Sequence, residues 1–190
     1  MKGVVIKSTG NLCQVLSGDN VFSCKIKGKT RLLNIEFTNP ISVGDHVDFN
    51  YDEKNQVGLI DCIHKRKNYI IRKSVNLSHK SQVIASNIDL ALLIVTIDQP
   101  TTSLTFIDRF LIQSEAYKIP AVLIFNKIDL YTKEQKKMLK KYRDIYENIG
   151  YKTITSSIHQ PKAIQKIQKL LDNKVSVLAG HSGVGKSSLI

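Results

Sequence analysis

The sequence predicts two domains of different class: a small all-β barrel over residues 1–68, then an α/β domain over 83–190 that is incomplete at Ile190. Three observations predict this. Short strand-like runs separated by turn residues fill the first third of the chain, apolar strands alternate with amphipathic helices in the rest, and a glycine-rich loop follows the last strand.

The barrel elements come first. Gly3–Lys7, Leu12–Leu16, Val21–Lys27, His46–Tyr51 and Val57–Ile63 read as strands, punctuated by Ser17-Gly18-Asp19-Asn20, Gly28, Asn39-Pro40 and Gly44-Asp45. Five strands in so short a span favour an OB-fold, a closed barrel that often presents a nucleic-acid-binding face. Periodicity alone does not separate it from an SH3-like barrel. Residues 69–82 read as a basic connector.

In the second domain, Asp89–Ile97 is apolar on both faces, as a central parallel strand requires. Leu104, Ile107, Phe110 and Leu111 recur at helical spacing after the caps Thr102 and Ser103. Ala121–Phe125 is a second buried strand. A helix over 132–148 carries Met138, Tyr142, Ile145 and Ile149 as its apolar stripe, with lysines opposite and Gly150 at its C-terminal cap. Lys152–Thr155 and Val175–Ala179 complete the strands, with a helix over 161–171 between them.

Composition narrows the function. The 28 Lys+Arg against 16 Asp+Glu leave +12, which favours polyanionic partners such as RNA, DNA or nucleotides, although 23 of the 28 are Lys, as an AT-rich genome would supply. Cys13, Cys24 and Cys62 are odd in number and widely spaced, so neither a disulfide framework nor zinc-ligand spacing is legible. No run approaches the ~20 apolar residues of a membrane helix, and no signal peptide opens the chain. A cytoplasmic, monomeric protein without membrane contact is expected.

Two motifs carry chemistry. Gly180-His181-Ser182-Gly183-Val184-Gly185-Lys186-Ser187 satisfies G-x-x-x-x-G-K-[ST] directly after a strand, with Ser188 beyond it. The glycines let backbone N–H groups face phosphates, and a helix starting near Lys186 would add its positive end. Lys186 would reach the β and γ phosphates and Ser187 would ligate Mg²⁺. His181 reads as a tolerated loop residue.

The second motif is Asn126-Lys127-Ile128-Asp129 at the end of a strand, where open α/β sheets bind ligands. The Asp129 carboxylate can accept from guanine N1–H and N2, a pattern adenine lacks. Asn126 can bond the N7/O6 side and tie this loop to the phosphate loop, while the Lys127 stem lies over the purine face. Ser156-Ser157, after the next strand, can offer a backbone N–H to guanine O6. The base-reading motif precedes the phosphate loop by about 50 residues, the reverse of ordinary small GTPases, which means circular permutation.

On these residues the chain resembles the circularly permuted GTPases that depend on the small ribosomal subunit, the RsgA or YjeQ family. The likeness runs from Val43-Gly44-Asp45 through the basic stretch Arg66 to Arg72 and Ile84 to Asp89 to the two motifs. The resemblance implies binding of GTP/GDP and Mg²⁺, contact of the barrel with rRNA in late 30S maturation, and GTP hydrolysis that drives release. It also implies switch segments with a D-x-P-G motif and a C-terminal zinc-binding domain, none of which this sequence contains. The expectation is therefore a truncated chain with no zinc ligands of its own, which binds nucleotide without hydrolysing it. The candidate RNA contacts lie within the basic segments 25–31, 65–73 and 133–143, with Lys25, Lys27, Lys29, Arg31 and Arg72 the named residues. Two other readings stay open: a non-catalytic RNA-binding module with a vestigial pocket, and a P-loop ATPase whose N-K-I-D is accidental.

Overall fold

A computed structural model describes residues 1–10, 12–27, 39–73 and 81–189. They fall into two compact units, Met1–Ile88 and Asp89–Ile190.

The first unit is built on a closed barrel of β1 (Lys2–Thr9), β2 (Leu12–Ser17), β3 (Asn20–Ile26), β4 (His46–Asp52) and β5 (Val57–Ile63), in the order β1-β2-β3-β5-β4. The parallel pairing of β3 with β5 and the antiparallel closure of β1 on β4 give the OB topology. Period-two alternation sends Val5, Cys13, Val15, Cys24, Val47, Phe49 and Ile60 inward, joined by Ile41. Burial pushes the Cys13 thiol up to about 12 and the Cys24 thiol to about 11, so these two are apolar packing groups and not nucleophiles. Gly58 is the space they need, because a Cβ there would lie 2.5 Å from the Cys24 sulfur.

Both described ends of the stretch read as a connector are strands. β6 (Tyr69–Lys73) pairs antiparallel with β7 (Ser81–Ser86), and the division between the units falls at Ile88. The cause is a set of long-range polar bonds. The Asn68 amide donates to the Ile88 carbonyl at 2.8 Å and accepts from the Ile88 N–H at 2.7 Å. Asn39 makes the same pair of bonds with Val83, at 2.8 and 3.0 Å. The Val43-Gly44-Asp45 turn is the other anchor. Buried Asp45 accepts two 2.7 Å bonds from the Arg66 guanidinium and one of 2.6 Å from the Ser86 hydroxyl. Arg66 is thus an internal strut and not a free RNA contact.

The second unit contains a parallel sheet of β8 (Leu90–Val95), β9 (Ala121–Phe125), β10 (Lys152–Thr155) and β11 (Ser176–Ala179) in the order β10-β9-β8-β11. Helices α1 (Leu104–Ala116), α2 (Lys133–Asn148) and α3 (Pro161–Leu171) connect them. Alternate residues of β8 and β9 feed two cores. Leu93, Val95, Leu123 and Phe125 pack with Ile107, Leu111, Leu139 and Tyr146, while Leu92, Ile94, Val122 and Ile124 pack with Ile167, Val184 and Leu189.

Two helix details depart from expectation. Ser103 alone caps α1, accepting from the Phe106 N–H, because Thr102 is buried and its hydroxyl accepts from Thr96 N–H. On α2, Leu139 and Tyr146 are buried, whereas Met138, Ile145 and Ile149 are exposed by 45%, 40% and 64%. The inward row follows 139, 142 and 146, and the Tyr146 hydroxyl satisfies itself on Asp108 at 2.8 Å.

Candidate functional site

The loops that follow β11, β8, β9 and β10 leave the same edge of the sheet, the C-terminal ends of parallel strands. Both sequence motifs lie there.

In the phosphate loop, Gly185 has φ +94, and a Cβ on it would stand 2.5 Å from the Asn126 side-chain nitrogen. Only glycine permits that approach. The Lys186 ammonium donates to the Gly180 and His181 carbonyls at 2.9 and 2.8 Å, so it is held at the mouth of the loop by weakly basic oxygens that phosphate oxygens can replace. Val184 is completely buried and anchors the loop in the core, while Ser182, Gly183, Ser187 and Ser188 are exposed. Residues Lys186–Ser188 form one 3-10 turn. The His181 ring lies against Phe106 with centroids 4.1 Å apart.

The base-reading loop is tied to the phosphate loop by one buried bond: the Asn126 amide donates to the Val184 carbonyl at 2.9 Å. Three more bonds hold Asn126. Its side-chain oxygen accepts from the Ser156 hydroxyl at 2.9 Å, its N–H donates to the Val95 carbonyl at 2.9 Å, and its carbonyl accepts from the Tyr131 hydroxyl at 2.7 Å. That hydroxyl also accepts from the Ile97 N–H at 2.9 Å, which makes Tyr131 a clasp between the β8 and β9 loops. Sequence reasoning missed it, because a tyrosine two residues after Asp129 carries no pattern that separates a buried clasp from an exposed ring.

Lys127 sits in the left-handed region at φ +60 and its ammonium donates to the Gln99 carbonyl at 2.7 Å. Asp129 is exposed. A hydrogen bond from the Ser157 side chain, with smaller help from the charges of His159 and Lys127, holds its carboxyl below the ordinary range. It is therefore an ionised, acceptor-only group at neutral pH, the form that reads N1–H and an exocyclic amine.

Ser156 and Ser157 are both buried, and they divide their work. The Ser156 N–H is spent on the Phe125 carbonyl at 2.8 Å, so it does not point at a base. Of the pair, Ser157 is left to offer its N–H.

The candidate RNA contacts are scattered. Lys25 on β3 and Lys27 just beyond it are exposed, and Lys27 is ion-paired with Asp61. Lys29, Arg31 and the Arg72 side chain lie outside the described residues. The structure also brings together groups whose spacing in sequence shows nothing: metal-ligating atoms of Asp48, Cys62 and His64 all lie within 4.8 Å of one another. Among the described residues no helix is long and apolar enough to cross a membrane.

Comparisons with known proteins agree over the whole length. Residues 2–60 match the RsgA N-terminal domain and residues 63–190 match the RsgA GTPase. The chain is 50% identical over 194 residues to the small ribosomal subunit biogenesis GTPase RsgA of Flavobacterium johnsoniae, and 48% over 195 residues to that of Flavobacterium psychrophilum. Each comparison covers 100% of this chain and 59% of the relative. Among solved structures it is similar to YjeQ from Thermotoga maritima, with a TM-score of 0.79 and 31% identity, covering 99% of this chain and 63% of that one. It is similar also to YloQ, described as a circularly permuted GTPase, with a TM-score of 0.76 and 30% identity over 98% of this chain and 62% of that one. The chain spans about three fifths of the length of the curated relatives it matches.

Proposed function

The chain belongs to the RsgA GTPase family, and from that premise we propose that its 190 residues form the RNA-contacting barrel and guanine-nucleotide pocket of a GTPase for late maturation of the small ribosomal subunit. The observation that carries the nucleotide half is the 2.9 Å bond from Asn126 to Val184, which fixes the base reader against the phosphate reader. A vestigial pocket has no use for that link or for the glycine it demands at 185.

In this reading Asp129 accepts from N1–H and N2 of guanine, Ser157 N–H donates to O6, and the Lys127 stem covers the purine face. Backbone N–H groups of 183–188 cradle the phosphates. Lys186 exchanges the neutral Gly180 and His181 carbonyl acceptors for anionic β and γ oxygens, so that both donor and acceptor are charged. The exposed Ser187 hydroxyl suits Mg²⁺, a hard cation that takes oxygen donors and, when bound, neutralises charge on the transferring phosphoryl group. Ser187 and Lys186 are the members of the two motifs that touch the reacting group. The 190 residues alone are expected to bind GDP and GTP while releasing no phosphate, since neither motif supplies a residue that positions the attacking water.

The barrel, through Lys25 and its neighbours, contacts phosphates of rRNA in this reading, and the protein works in the cytoplasm as a monomer. Competition for bound fluorescent GDP tests the core of the proposal. GDP and GTP should displace it at concentrations where ADP does not. Equal displacement by ADP would make N-K-I-D accidental and return the site to a P-loop ATPase.

A further inference from the structure

We infer that the outer face of the barrel carries a transition-metal site of zinc type, built from Asp48 on β4 and from Cys62 and His64 at the end of β5. The site is separate from the nucleotide loops and from any ligand cluster legible in the sequence.

The backbone sets the three groups together. Asp48 and Cys62 are register partners across the antiparallel β4–β5 pair, and between Asp48 and Phe49 that register slips. The slip makes Asp61 the extra residue, since Phe49 then faces Ile60. A bulge of this kind re-aims side chains, and here it leaves Cys62 exposed while Ile60 stays buried. His64 is two residues beyond Cys62, so alternation returns it to the same side. Its N–H donates to the His46 carbonyl at 2.9 Å, which fixes its position against β4.

The atoms meet as ligands do. His64 Nε2 stands 3.1 Å from Asp48 Oδ1, yet that oxygen is buried and has no hydrogen-bond partner, so the two approach without the alignment of a hydrogen bond. That shielded oxygen, beside the imidazole but without a hydrogen bond, can take a cation as its partner. A zinc-type ion with bonds of about 2.0–2.1 Å to N and O and about 2.3 Å to S places its tetrahedral ligands about 3.3–3.6 Å apart. The observed separations, 3.1 Å for one edge and at most 4.8 Å for the others, reach that geometry by a small turn of the side chains. Thiolate, imidazole and carboxylate together select zinc or cobalt over magnesium or calcium.

Three protein ligands leave the fourth position open. His64 also lines a groove of about 590 Å³ together with Lys2, Gly3, Val4 and the exposed His46, which is the nearest further donor the fold offers besides one from outside. Cys62 is also the exposed thiol of the chain, whereas Cys13 and Cys24 are buried, which makes it separately measurable.

The test uses the reduced 190-residue chain, stripped with chelator and titrated anaerobically with Co²⁺. One equivalent should develop visible d–d bands with a thiolate-to-cobalt charge-transfer band, and Zn²⁺ should displace it. Cys62→Ser should abolish the charge-transfer band, and Asp48→Ala and His64→Ala should each weaken binding by roughly tenfold or more. His159→Ala, outside the cluster, should leave the cobalt bands unchanged. Zn²⁺ should slow alkylation of Cys62 in the unmodified chain, and circular dichroism verifies that each variant is folded. No cobalt bands in the unmodified chain, a charge-transfer band that survives Cys62→Ser, or alkylation indifferent to Zn²⁺ would overturn the site and leave only a close contact between Asp48 and His64.

Discussion

Gly185→Ala should uncouple the two nucleotide loops, and the structure sets the size of the effect. At φ +94 a residue with a Cβ carries about 1–3 kcal/mol of backbone strain. The new methyl would also stand 2.5 Å from the Asn126 nitrogen, so Asn126 must retreat and give up its bond to Val184. Both residues are buried at 1% and 0% exposure, and unpaired buried donors and acceptors cost about 1–3 kcal/mol. The two contributions sum to roughly 2–6 kcal/mol. The loop can shed the strain by leaving its cradle shape, so the loss should fall on nucleotide binding more than on unfolding. GDP affinity should therefore drop by at least about thirtyfold, by the rule of 1.4 kcal/mol per decade. Asn126→Ala keeps the glycine and adds no backbone strain, but it removes the bond from Ser156 together with the link to Val184. The double variant supplies the decisive number. With Asn126 truncated the new methyl has no clash to make, so the two effects should be clearly less than additive. Fluorescent-GDP titrations of the four proteins, beside urea unfolding, measure the cycle. Additive losses, or a Gly185→Ala protein with unchanged GDP affinity, would refute the coupling.

Asp129→Asn should weaken GDP by roughly two to four decades and improve xanthosine diphosphate, since two bonds to a charged acceptor are each worth about 1.5–3 kcal/mol; loss of GDP with no gain for xanthosine diphosphate would count against the assignment. Because the Ser157 bond lowers the Asp129 pKa below 3.8, its contribution should be fully present above that value and fade only as pH falls through the depressed one, as a GDP titration over acid pH can follow. Arg66→Ala should destabilise the first unit by about 3–5 kcal/mol, because it strands the fully buried Asp45 carboxylate, and urea unfolding monitored by circular dichroism measures it. Binding to small subunits should fall with salt at a slope of about −0.7 to −0.9 per phosphate contact. Removing Lys25 should flatten that slope more than removing Lys27, whose charge is already paired with Asp61, and equal effects in a filter-binding series would reject this use of the barrel.

What the sequence by itself determined was whatever depends on residues close together along the chain. Strand alternation, the apolar run within 89–97, the capping residue Ser103, the glycine-rich phosphate loop and N-K-I-D are local patterns legible along the chain. Motif order alone exposed the permutation. The tertiary structure decided everything that turns on partners tens of residues apart. The parallel pairing of β3 with β5 selects the OB topology over its rival, and no local period encodes it. The stretch after residue 68 reads as a charged linker, yet Tyr69–Lys73 pairs with Ser81–Ser86, and Asn39 and Asp45 bond to Val83 and Ser86 across 44 and 41 positions. Tyr146 takes the buried row of α2 from Ile145 and Ile149 because Asp108 waits for its hydroxyl on another helix. Asp48, Cys62 and His64 have no ligand spacing, and only the slipped register of two strands sets them side by side. The physical reason is the same each time: periodicity reports which face of an element is apolar, whereas a hydrogen bond or a ligand cluster depends on which elements meet, and that is settled by folding of the whole chain.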